Sequence, residues 1–318
     1  MDIPAFEDIR KAHLRIRDYI QITSVVTSEG INHITGSNLF FKCENFQKAG
    51  AFKYRGATNA IRTLSNGEAR RGVATHSSGN HAGALAKAAA IHGIRAYIVM
   101  PETSPLVKQA AVKGYGAEIT FCKSTLEARE QTLGEVIRRT GATFIHPYDN
   151  EKVICGQGTA VLEFLDQMPA PDVMITPVGG GGLLSGTSVT LRKLSPGTKI
   201  IGAEPELADD ARRSFISGVI QPALPPRTIA DGLLTSLSDL TFSIIRKNVD
   251  DILTTSETYI IRAMRLLWER AKIVAEPSAA VPLAVILQHP GYFKGKTTGI
   301  ILSGGNVDLE NLPFGQEK

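Results

Sequence analysis

The 318-residue chain has only three cysteines and one tryptophan, and neither sign of charge dominates, since 35 Lys and Arg stand against 31 Asp and Glu. Cys43, Cys122 and Cys155 are odd in number and far apart, so they fit neither a disulfide framework nor a CxxC metal site. Three small buried hydrophobes in a reducing cytosol are the favoured interpretation. No basic tract with interleaved aromatic residues is present, so we expect no nucleic-acid partner.

Long hydrophobic runs are also missing. No apolar stretch reaches about 18 residues, the length that a membrane-spanning helix needs. The N-terminal segment is acidic and amphipathic and lacks the apolar centre of a signal peptide. We therefore expect a cytoplasmic protein without a membrane partner. The hydrophobic fraction of 43% is ordinary for a globular chain and supplies a large core.

Short apolar runs alternate with segments of helical period along the chain. The apolar runs occupy residues 39–43, 72–75, 96–100, 118–122, 143–146, 173–178, 199–203 and 298–302. Several of them are apolar on both faces, as buried parallel strands are. Helical periods occupy residues 54–64, 80–92, 105–115, 126–140, 158–167, 183–193, 259–271 and 279–288. This alternation predicts an α/β fold with doubly wound parallel sheets. In such sheets ligands bind beyond the carboxyl ends of the strands, where the glycine- and serine-rich segments fall.

One lysine stands in an apolar setting. Lys53 follows Ala51 and Phe52 and opens the helical segment 54–64. A lysine that loses hydration has a lowered pKa, and its neutral amine can attack an aldehyde cofactor. The alternative is a helix-start lysine paired with Glu44, the more common situation for a lone lysine. Three loops elsewhere in the sequence favour the first interpretation.

The first loop, residues 75–81, reads Thr-His-Ser-Ser-Gly-Asn-His and lies between a predicted strand and a helix. Backbone N–H groups at the helix start and the hydroxyls of Ser77 and Ser78 can bind an anion such as a carboxylate. A single serine or asparagine is enough to cap the helix. Two serines, Asn80 and two histidines, one of them His81, exceed that need and favour a functional loop.

The second loop contains four consecutive glycines, Gly179 to Gly182, after the most apolar predicted strand. Such a run costs backbone entropy, and it lets successive N–H groups converge on a phosphate at a helix N-terminus. The spacing argues against a nicotinamide-dependent oxidoreductase, because a GxGxxG pattern counted from Gly179 requires glycine at the position of Leu184. The loop favours a phosphorylated cofactor of mononucleotide size.

The third loop and an acidic segment each allow two interpretations. Ser303 follows the last predicted strand and can contact a ring nitrogen, but a serine in a tight turn explains it equally well. Residues 204–210 place four carboxylates in seven positions after a strand. Hard divalent cations prefer such oxygen-rich loops, and a solvated acidic turn is the equal alternative.

In combination these motifs resemble the fold-type II pyridoxal-phosphate (PLP) enzymes, in the serine/threonine dehydratase and serine racemase group. The resemblance covers nearly the whole chain and rests on the motifs FKYRG, SSGNHAGA, GGGG, EPELADD and SGGN in that order. Within the group, the stretches HPYDN, RSF and TIADGL are most similar to the 3-hydroxyaspartate dehydratases, which are hydroxyaspartate ammonia-lyases.

The resemblance implies a tryptophan synthase β-like architecture and a homodimer. PLP would lie between two doubly wound α/β domains, a large PLP-binding domain of residues 1–71 and 150–318 and a small substrate-gripping domain of residues 72–149. Lys53 would bind PLP covalently and act as the base at Cα, and Ser78 would be the acid/base on the opposite face. The residues implied to contact PLP are Phe52, Asn80, Gly179 to Gly182 and Ser303. The residues implied to contact the substrate are Ser77, Ser78 and His81. A cation, Mg²⁺, Mn²⁺ or Ca²⁺, would bind to Glu204, Asp210 and the Ala208 carbonyl.

We expect the reaction to be the dehydration and deamination of a β-hydroxy amino acid. Ser303 is a neutral partner for the PLP ring nitrogen, and prompt loss of a β-leaving group suits a neutral partner. A second substrate carboxylate needs a cation, and Arg129 is our candidate because a guanidinium binds a carboxylate at two points. A surface arginine paired with Glu127 or Glu130 is the alternative.

Tyr148 replaces the asparagine that is typical of serine racemases and adds a hydroxyl to the expected substrate site. The most specific hypothesis is therefore conversion of 3-hydroxyaspartate to oxaloacetate and ammonia. A serine racemase or serine/threonine dehydratase is the alternative enzyme. A binding module without catalysis is a further alternative, and the retention of Lys53, Ser78 and all four glycines argues against it.

Overall fold

A computed structural model describes residues 3–223, 225 and 227–315. Its strands are β1 (Val25–Val26), β2 (Asn38–Cys43), β3 (Val73–His76), β4 (Ala96–Pro101), β5 (Glu118–Cys122), β6 (Thr143–Phe144), β7 (Val173–Pro177), β8 (Lys199–Pro205), β9 (Asp251–Thr255) and β10 (Thr297–Leu302). They form a six-stranded sheet in the order β1-β2-β10-β7-β8-β9 and a four-stranded sheet in the order β5-β4-β3-β6.

Helices cover the faces of the two sheets. Their bounds are α1 (Phe6–Ile16), α2 (Glu29–Thr35), α3 (Lys53–Arg62), α4 (Asn66–Arg71), α5 (Asn80–Ile91), α6 (Leu106–Gly114), α7 (Leu126–Thr140), α8 (Glu151–Gln167), α9 (Gly182–Leu194), α10 (Asp210–Ser217), α11 (Asp239–Asn248), α12 (Glu257–Leu266), α13 (Pro277–Gln288) and α14 (Pro290–Phe293). A π-helical turn, Leu267–Ala271, continues α12. Among the described residues, no helix combines the length and the apolar character that crossing a membrane requires.

The predicted α/β class and the parallel strand pairing are confirmed. All three pairings of the four-stranded sheet are parallel, and in the six-stranded sheet only β1 runs antiparallel to its neighbour. Each predicted strand is present within two residues of its expected bounds. Strands β1 and β9 were not predicted, because β1 has two residues and β9 is a polar edge strand that pairs only with β8.

The small sheet uses only strands from residues 73–144, and the large sheet uses strands from before and after them. The largest apolar cluster packs α12 and α13 against the large sheet, with Phe41, Ile175 and Ile300 at its centre. A separate cluster around Leu85 and Ile98 joins α5 to the small sheet. The exact domain limits at residues 72 and 149 stay a prediction.

Helix α8 begins seven residues before the predicted start at 158, so that prediction is wrong. The Asn150 side chain caps the helix by accepting N–H bonds from Lys152 and Val153 at 2.9 and 3.1 Å. Gly156 and Gly158 then lie inside the helix, where glycine is normally unfavourable. Because glycine indicates a helix boundary in sequence, the true start was missed.

These helical glycines allow backbones to touch. A Cβ on Gly156 would lie 2.5 Å from the Gly56 Cα of α3. A Cβ on Gly158 would lie 2.8 Å from the Gly186 carbonyl oxygen of α9. The crossing of α3, α8 and α9 therefore has no room for side chains, and it holds α3, whose first residue is Lys53.

We expect Gly156→Ala to lower the free energy of unfolding by about 1–3 kcal/mol, because the new methyl group overlaps fixed backbone atoms. Gly134→Ala in helix α7 is the matched control, since its Cβ would meet only the Arg138 side chain at 3.5 Å. The free energy of unfolding of this control should rise by about 0.5–1 kcal/mol, because alanine loses less backbone entropy on folding than glycine does. Urea unfolding followed by circular dichroism measures both. Equal stability of the two variants would contradict the close crossing.

Candidate active site

A cavity of about 270 Å³ lies at the carboxyl ends of strands from both sheets. His76 at the end of β3 lines it from the small sheet, and Pro177 at the end of β7 lines it from the large sheet. The structure brings every predicted cofactor and substrate residue into its wall, namely Phe52, Lys53, Ser77, Ser78, Asn80, His81, Arg129, Tyr148, Gly179, Gly180, Gly181, Gly182 and Ser303. The cavity is therefore the candidate active site.

Lys53 opens helix α3 and faces this cavity. Its Nζ donates a hydrogen bond to the Pro147 carbonyl at 3.0 Å and lies 5.2 Å from the centre of the Phe52 ring. Burial lowers the pKa of Lys53 to about 8, because the charged ammonium loses its hydration. The alternative partner, Glu44, is bonded to Arg55 instead, at 2.7 Å. The neutral fraction of the amine near physiological pH is thus much larger than that of a solvated lysine.

A buried ion network holds the start of α3 behind Lys53. Arg55 is fully buried and contacts Glu44 at 2.7 Å and Glu163 at 3.0 Å, and Lys42 contacts Glu163 at 2.5 Å. The four charges balance, which is required where water cannot solvate them. Because Arg55 lies two residues after Lys53, the network fixes the direction in which the reactive side chain leaves the helix.

The glycine loop forms a cradle at the start of α9. Gly181 has a φ of +85°, which side chains rarely adopt. A Cβ on Gly180 would overlap the ring of Tyr148, and one on Gly182 would lie 3.1 Å from the Tyr148 Cβ. The first helical hydrogen bond runs from the Ser185 N–H to the Gly181 carbonyl at 2.8 Å. The amides before it therefore lack helical partners and are available to a phosphate.

The predicted anion loop lies at the start of α5. The Gly79 N–H donates to the Ser77 hydroxyl at 3.3 Å, and Ser78 faces the cavity beside it. The His81 Nε2 contacts the Ile145 carbonyl at 3.1 Å, so this nitrogen carries the proton. Burial, and then the charge of Lys53, lowers the pKa of His81 to about 3. His81 is therefore neutral at all ordinary pH values.

Asn80 is held by side-chain hydrogen bonds to a carboxyl group and to an amide from distant segments. Its Nδ2 donates to Glu276 Oε1 at 2.6 Å, and its Oδ1 accepts from Asn306 Nδ2 at 2.9 Å. Burial, and then the charge of Asp231, raises the pKa of Glu276 to about 7. The Asn80 amide is thus fixed with one remaining N–H for another acceptor.

Arg129 faces the cavity without a salt bridge to any residue in the described part of the chain. Its Nε is buried and has no hydrogen-bond partner among those same residues. Burial, and then the positive charge of Arg129, lowers the pKa of the neighbouring His76. The alternative of a surface pair with Glu127 or Glu130 therefore does not describe the structure.

The acidic segment lies outside the cavity. Glu204 is buried and accepts the N–H groups of Ala211 and Arg212 at 2.9 and 2.8 Å. Asp210 is buried, with its Oδ2 unpartnered among the described residues. Within residues 3–223, 225 and 227–315, no three or more His, Cys, Asp or Glu side chains are grouped to hold a metal. The solvated-turn alternative fails for Glu204 and Asp210, and the cation role of this pair with the Ala208 carbonyl stays a prediction.

Several cavity residues were not predicted as site residues. Lys108 of α6 forms an ion pair with Asp231 across the cavity wall, and Glu276 and His146 also face the cavity. Asp231 and His146 belong to the TIADGL and HPYDN stretches, so a signal for them was present. Lys108 and Glu276 carry no local signal, because their importance arises from contacts between distant segments.

These features define a class of protein that binds a phosphorylated carbonyl compound between two α/β sheets. PLP fits the residues present. The cradle at Gly180 is closed to any side chain, the Lys53 amine has a lowered pKa, and Ser303 is a buried neutral hydroxyl on the same cavity. An aldehyde, a phosphate and a pyridine ring each find a suitable partner in this set.

Comparison with known proteins identifies the family. A family described as "Pyridoxal-phosphate dependent enzyme" matches residues 16–304, and the chain belongs to it. The chain is 50% identical to the beta-hydroxyaspartate dehydratase of Paracoccus denitrificans over 99% of this chain and 100% of that protein. It is 46% identical to the L-threo-3-hydroxyaspartate ammonia-lyase of Saccharomyces cerevisiae, over 98% and 95% of the two chains.

The solved structures agree with this assignment. The crystal structure of serine racemase from Dictyostelium discoideum superposes with a TM-score of 0.92 at 51% identity, over 97% of this chain and 100% of that one. The family and the fold-type II architecture predicted from sequence are therefore confirmed, and PLP is the cofactor. The roles of the individual residues stay predictions.

We expect the rate at which the cofactor-free protein captures PLP to rise with pH and level off above about pH 8–9, because only the neutral Lys53 amine attacks and its pKa is about 8. Stopped-flow absorbance from pH 6.5 to about 9.5 measures this rate, with acetyl-lysine amide as the solution control. A rate that still climbs about tenfold per pH unit above pH 8.5 would mean an ordinary lysine pKa.

Proposed function

We propose that the protein is a PLP-dependent ammonia-lyase that converts 3-hydroxyaspartate to oxaloacetate and ammonia. Two relatives that match over nearly their full lengths, from Paracoccus denitrificans and Saccharomyces cerevisiae, are named for action on hydroxyaspartate. The single observation of the structure that carries the proposal is Arg129 on the cavity wall, which has no ion-pair partner among the described residues. A small amino acid with a second carboxylate gives that cation a partner.

PLP, when bound, withdraws electrons from the Cα of an amino acid. The glycine loop, Gly179 to Gly182, would hold the phosphate, and Asn80, Phe52 and Ser303 would contact the ring. Ser77, Ser78 and the start of α5 would bind the α-carboxylate, since their N–H and O–H groups face the cavity. The Lys53 amine would then remove the Cα proton, a task suited to a base with a pKa of about 8.

The β-hydroxyl would then leave together with the proton that Lys53 took from Cα, so that one water is lost and Lys53 is again neutral. The resulting enamine turns into an imine, which water hydrolyses to the keto acid and ammonia. Oxaloacetate is the keto acid when the side chain is a carboxylate. Arg129 would neutralise that second carboxylate, and Tyr148, whose ring covers Gly180, would exclude water from the phosphate side of the cavity.

A serine racemase or serine/threonine dehydratase is the second candidate. The similarity to serine racemase of Dictyostelium discoideum favours it. Lys53 and Ser78 both face the cavity, and they would act as the base and the acid on the two faces of Cα. The two candidates differ in what Arg129 binds, because serine has no second carboxylate.

We expect the wild-type protein to turn over 3-hydroxyaspartate with a higher kcat/KM than serine or threonine. We expect Arg129→Ala to lower kcat/KM for hydroxyaspartate by about 30- to 5,000-fold, since truncating one partner of a buried charge pair costs about 2–5 kcal/mol. The loss for serine should stay within about threefold, because serine carries no second carboxylate. Steady-state assay of released ammonia measures all three substrates.

Arg138→Ala, an exposed arginine on the same helix, is the matched control and should change none of these constants. A wild-type preference for threonine would contradict the hydroxyaspartate assignment. Equal losses on hydroxyaspartate and serine in Arg129→Ala would remove Arg129 from recognition of the second carboxylate.

We further propose that Mg²⁺, Mn²⁺ or Ca²⁺ binds to Glu204, Asp210 and the Ala208 carbonyl. The support is the burial of both carboxyl groups together with the unpartnered oxygen of Asp210. Burial raises the pKa of Glu204 well above its usual value and that of Asp210 to about 6, as expected for carboxylates that lack a cation.

We expect Mg²⁺, Mn²⁺ or Ca²⁺ to raise the melting temperature of chelator-treated protein by a few degrees, since the ion binds only the folded chain. Asp210→Asn should abolish this increase, and Glu206→Gln, which alters an exposed carboxylate of the same segment, should retain it. Scanning fluorimetry with each ion measures the shift. The proposal fails if Asp210→Asn shows the wild-type increase.

The remaining assignments rest on the resemblance and on composition. We propose a cytoplasmic homodimer, and the three buried free cysteines suit a reducing compartment. We also propose the division into residues 1–71 with 150–318 and residues 72–149, which agrees with the membership of the two sheets. Size-exclusion chromatography with light scattering tests the dimer.

A further inference from the structure

The turn at residues 146–149 is closed by a histidine ring. His146 Nδ1 accepts the backbone N–H of Asp149 at 2.8 Å and that of Tyr148 at 3.3 Å. A ring nitrogen that accepts N–H bonds carries no proton, so the proton of the neutral ring lies on Nε2. The side chain therefore caps its own turn, as asparagine does in other turns.

This turn presents the carbonyl to which Lys53 is bonded. Pro147 lies between the ring of His146 and the two amides that the ring accepts, and its carbonyl receives the Lys53 Nζ at 3.0 Å. Proline has a fixed φ and no N–H, so the turn has one backbone donor fewer to close it. The His146 ring closes the turn instead, by accepting the N–H groups of Tyr148 and Asp149.

The contact joins the two sheets at the reactive amine. Lys53 opens α3, whose start is tied to the end of β10 in the large sheet by the bond from the Phe52 N–H to the Ser303 carbonyl at 2.9 Å. Pro147 follows β6 of the small sheet, 94 residues away from Lys53. A neutral amine that donates one N–H to a carbonyl directs its lone pair elsewhere. Held in this way, the free amine can attack a cofactor or accept a proton without first breaking its hydrogen bond.

We propose that His146 is a positioning residue whose ring closes the turn at residues 146–149 and so holds the Pro147 carbonyl against the free amine of Lys53. This inference rests on the proposed function, in which Lys53 carries the cofactor. It assigns to His146 no contact with the substrate.

The neutral state of the ring agrees with its surroundings. Burial lowers the pKa of His146 to about 4, and Asp149 only partly opposes this effect. The ring also packs edge-on against Tyr148, with centres 4.5 Å apart, and against Phe144 at 5.5 Å. These contacts fix the ring plane, so the Nδ1 lone pair stays on the two amides.

Two substitutions separate positioning from substrate contact. In His146→Asn the side-chain oxygen takes the position of Nδ1 and keeps the acceptor there. In His146→Gln the side-chain nitrogen takes the position of Nε2, and the amide oxygen lies one bond farther from the backbone than Nδ1 does. We expect His146→Gln to slow PLP capture at least tenfold and to lower kcat by a similar factor, with KM within threefold of wild type. His146→Asn should restore both quantities to within about threefold.

The tautomer is measured on the wild-type holoenzyme, and a variant serves only to assign the signal. In ¹⁵N-histidine-labelled protein at pH 7, we expect the His146 ring to show a protonated Nε2 and an unprotonated Nδ1. Loss of this signal in His146→Asn assigns it. A proton on Nδ1 would overturn the proposal.

The kinetic outcomes are equally decisive. Slow capture in both variants, or normal capture in His146→Gln, would overturn the positioning role. A tenfold rise of KM in His146→Asn with unchanged capture would point to a substrate contact through Nε2 instead. Failure of the proposed function is distinguishable, because wild-type protein would then fail to capture PLP or to act on hydroxyaspartate.

Discussion

The amine of Lys53 lies where water cannot fully solvate a charge, and the structure around it is organised by that constraint. An ammonium ion in this position would need a carboxylate, and Glu44, the partner considered from the sequence, is bound to Arg55 instead. The amine contacts a carbonyl and an aromatic ring instead. The pKa of Lys53 is low because burial disfavours the charged ammonium form.

The same exclusion of water explains the neutral histidines and the paired charges nearby. His81 and His146 are both uncharged at neutral pH, and each uses its ring to satisfy backbone groups of the segment that follows β6. The buried charges of Lys42 and Arg55 are balanced behind α3 by those of Glu44 and Glu163. Arg129 differs, because it is a cavity cation for which the described residues supply no partner. A ligand with an anionic group would supply the partner that the Arg129 guanidinium lacks among the described residues.

Much of the site could be predicted from sequence because its chemistry is concentrated in short continuous motifs. Lys53, the residues around Ser78 and the glycine loop each follow a strand, and parallel strands bring their carboxyl ends to one place. The Lys53–Pro147 contact and the Asn80–Glu276 bond could not be predicted. They join segments 94 and 196 residues apart, and no local pattern encodes such a pairing.

The helices and strands could likewise be predicted only where their pattern is local. Buried strands were found because both faces are apolar, while the polar edge strand β9 was missed. The start of α8 was missed because its glycines lie at a backbone crossing inside the helix, and only the packed structure shows why glycine is needed there.

Covalent capture of PLP by Lys53 is the claim on which the account depends, and one measurement tests it directly. The PLP-loaded protein is reduced with borohydride, digested, and its peptides are mapped by mass spectrometry. The account predicts a single phosphopyridoxyl group on Lys53. A label on another lysine, or no label at all, would contradict it.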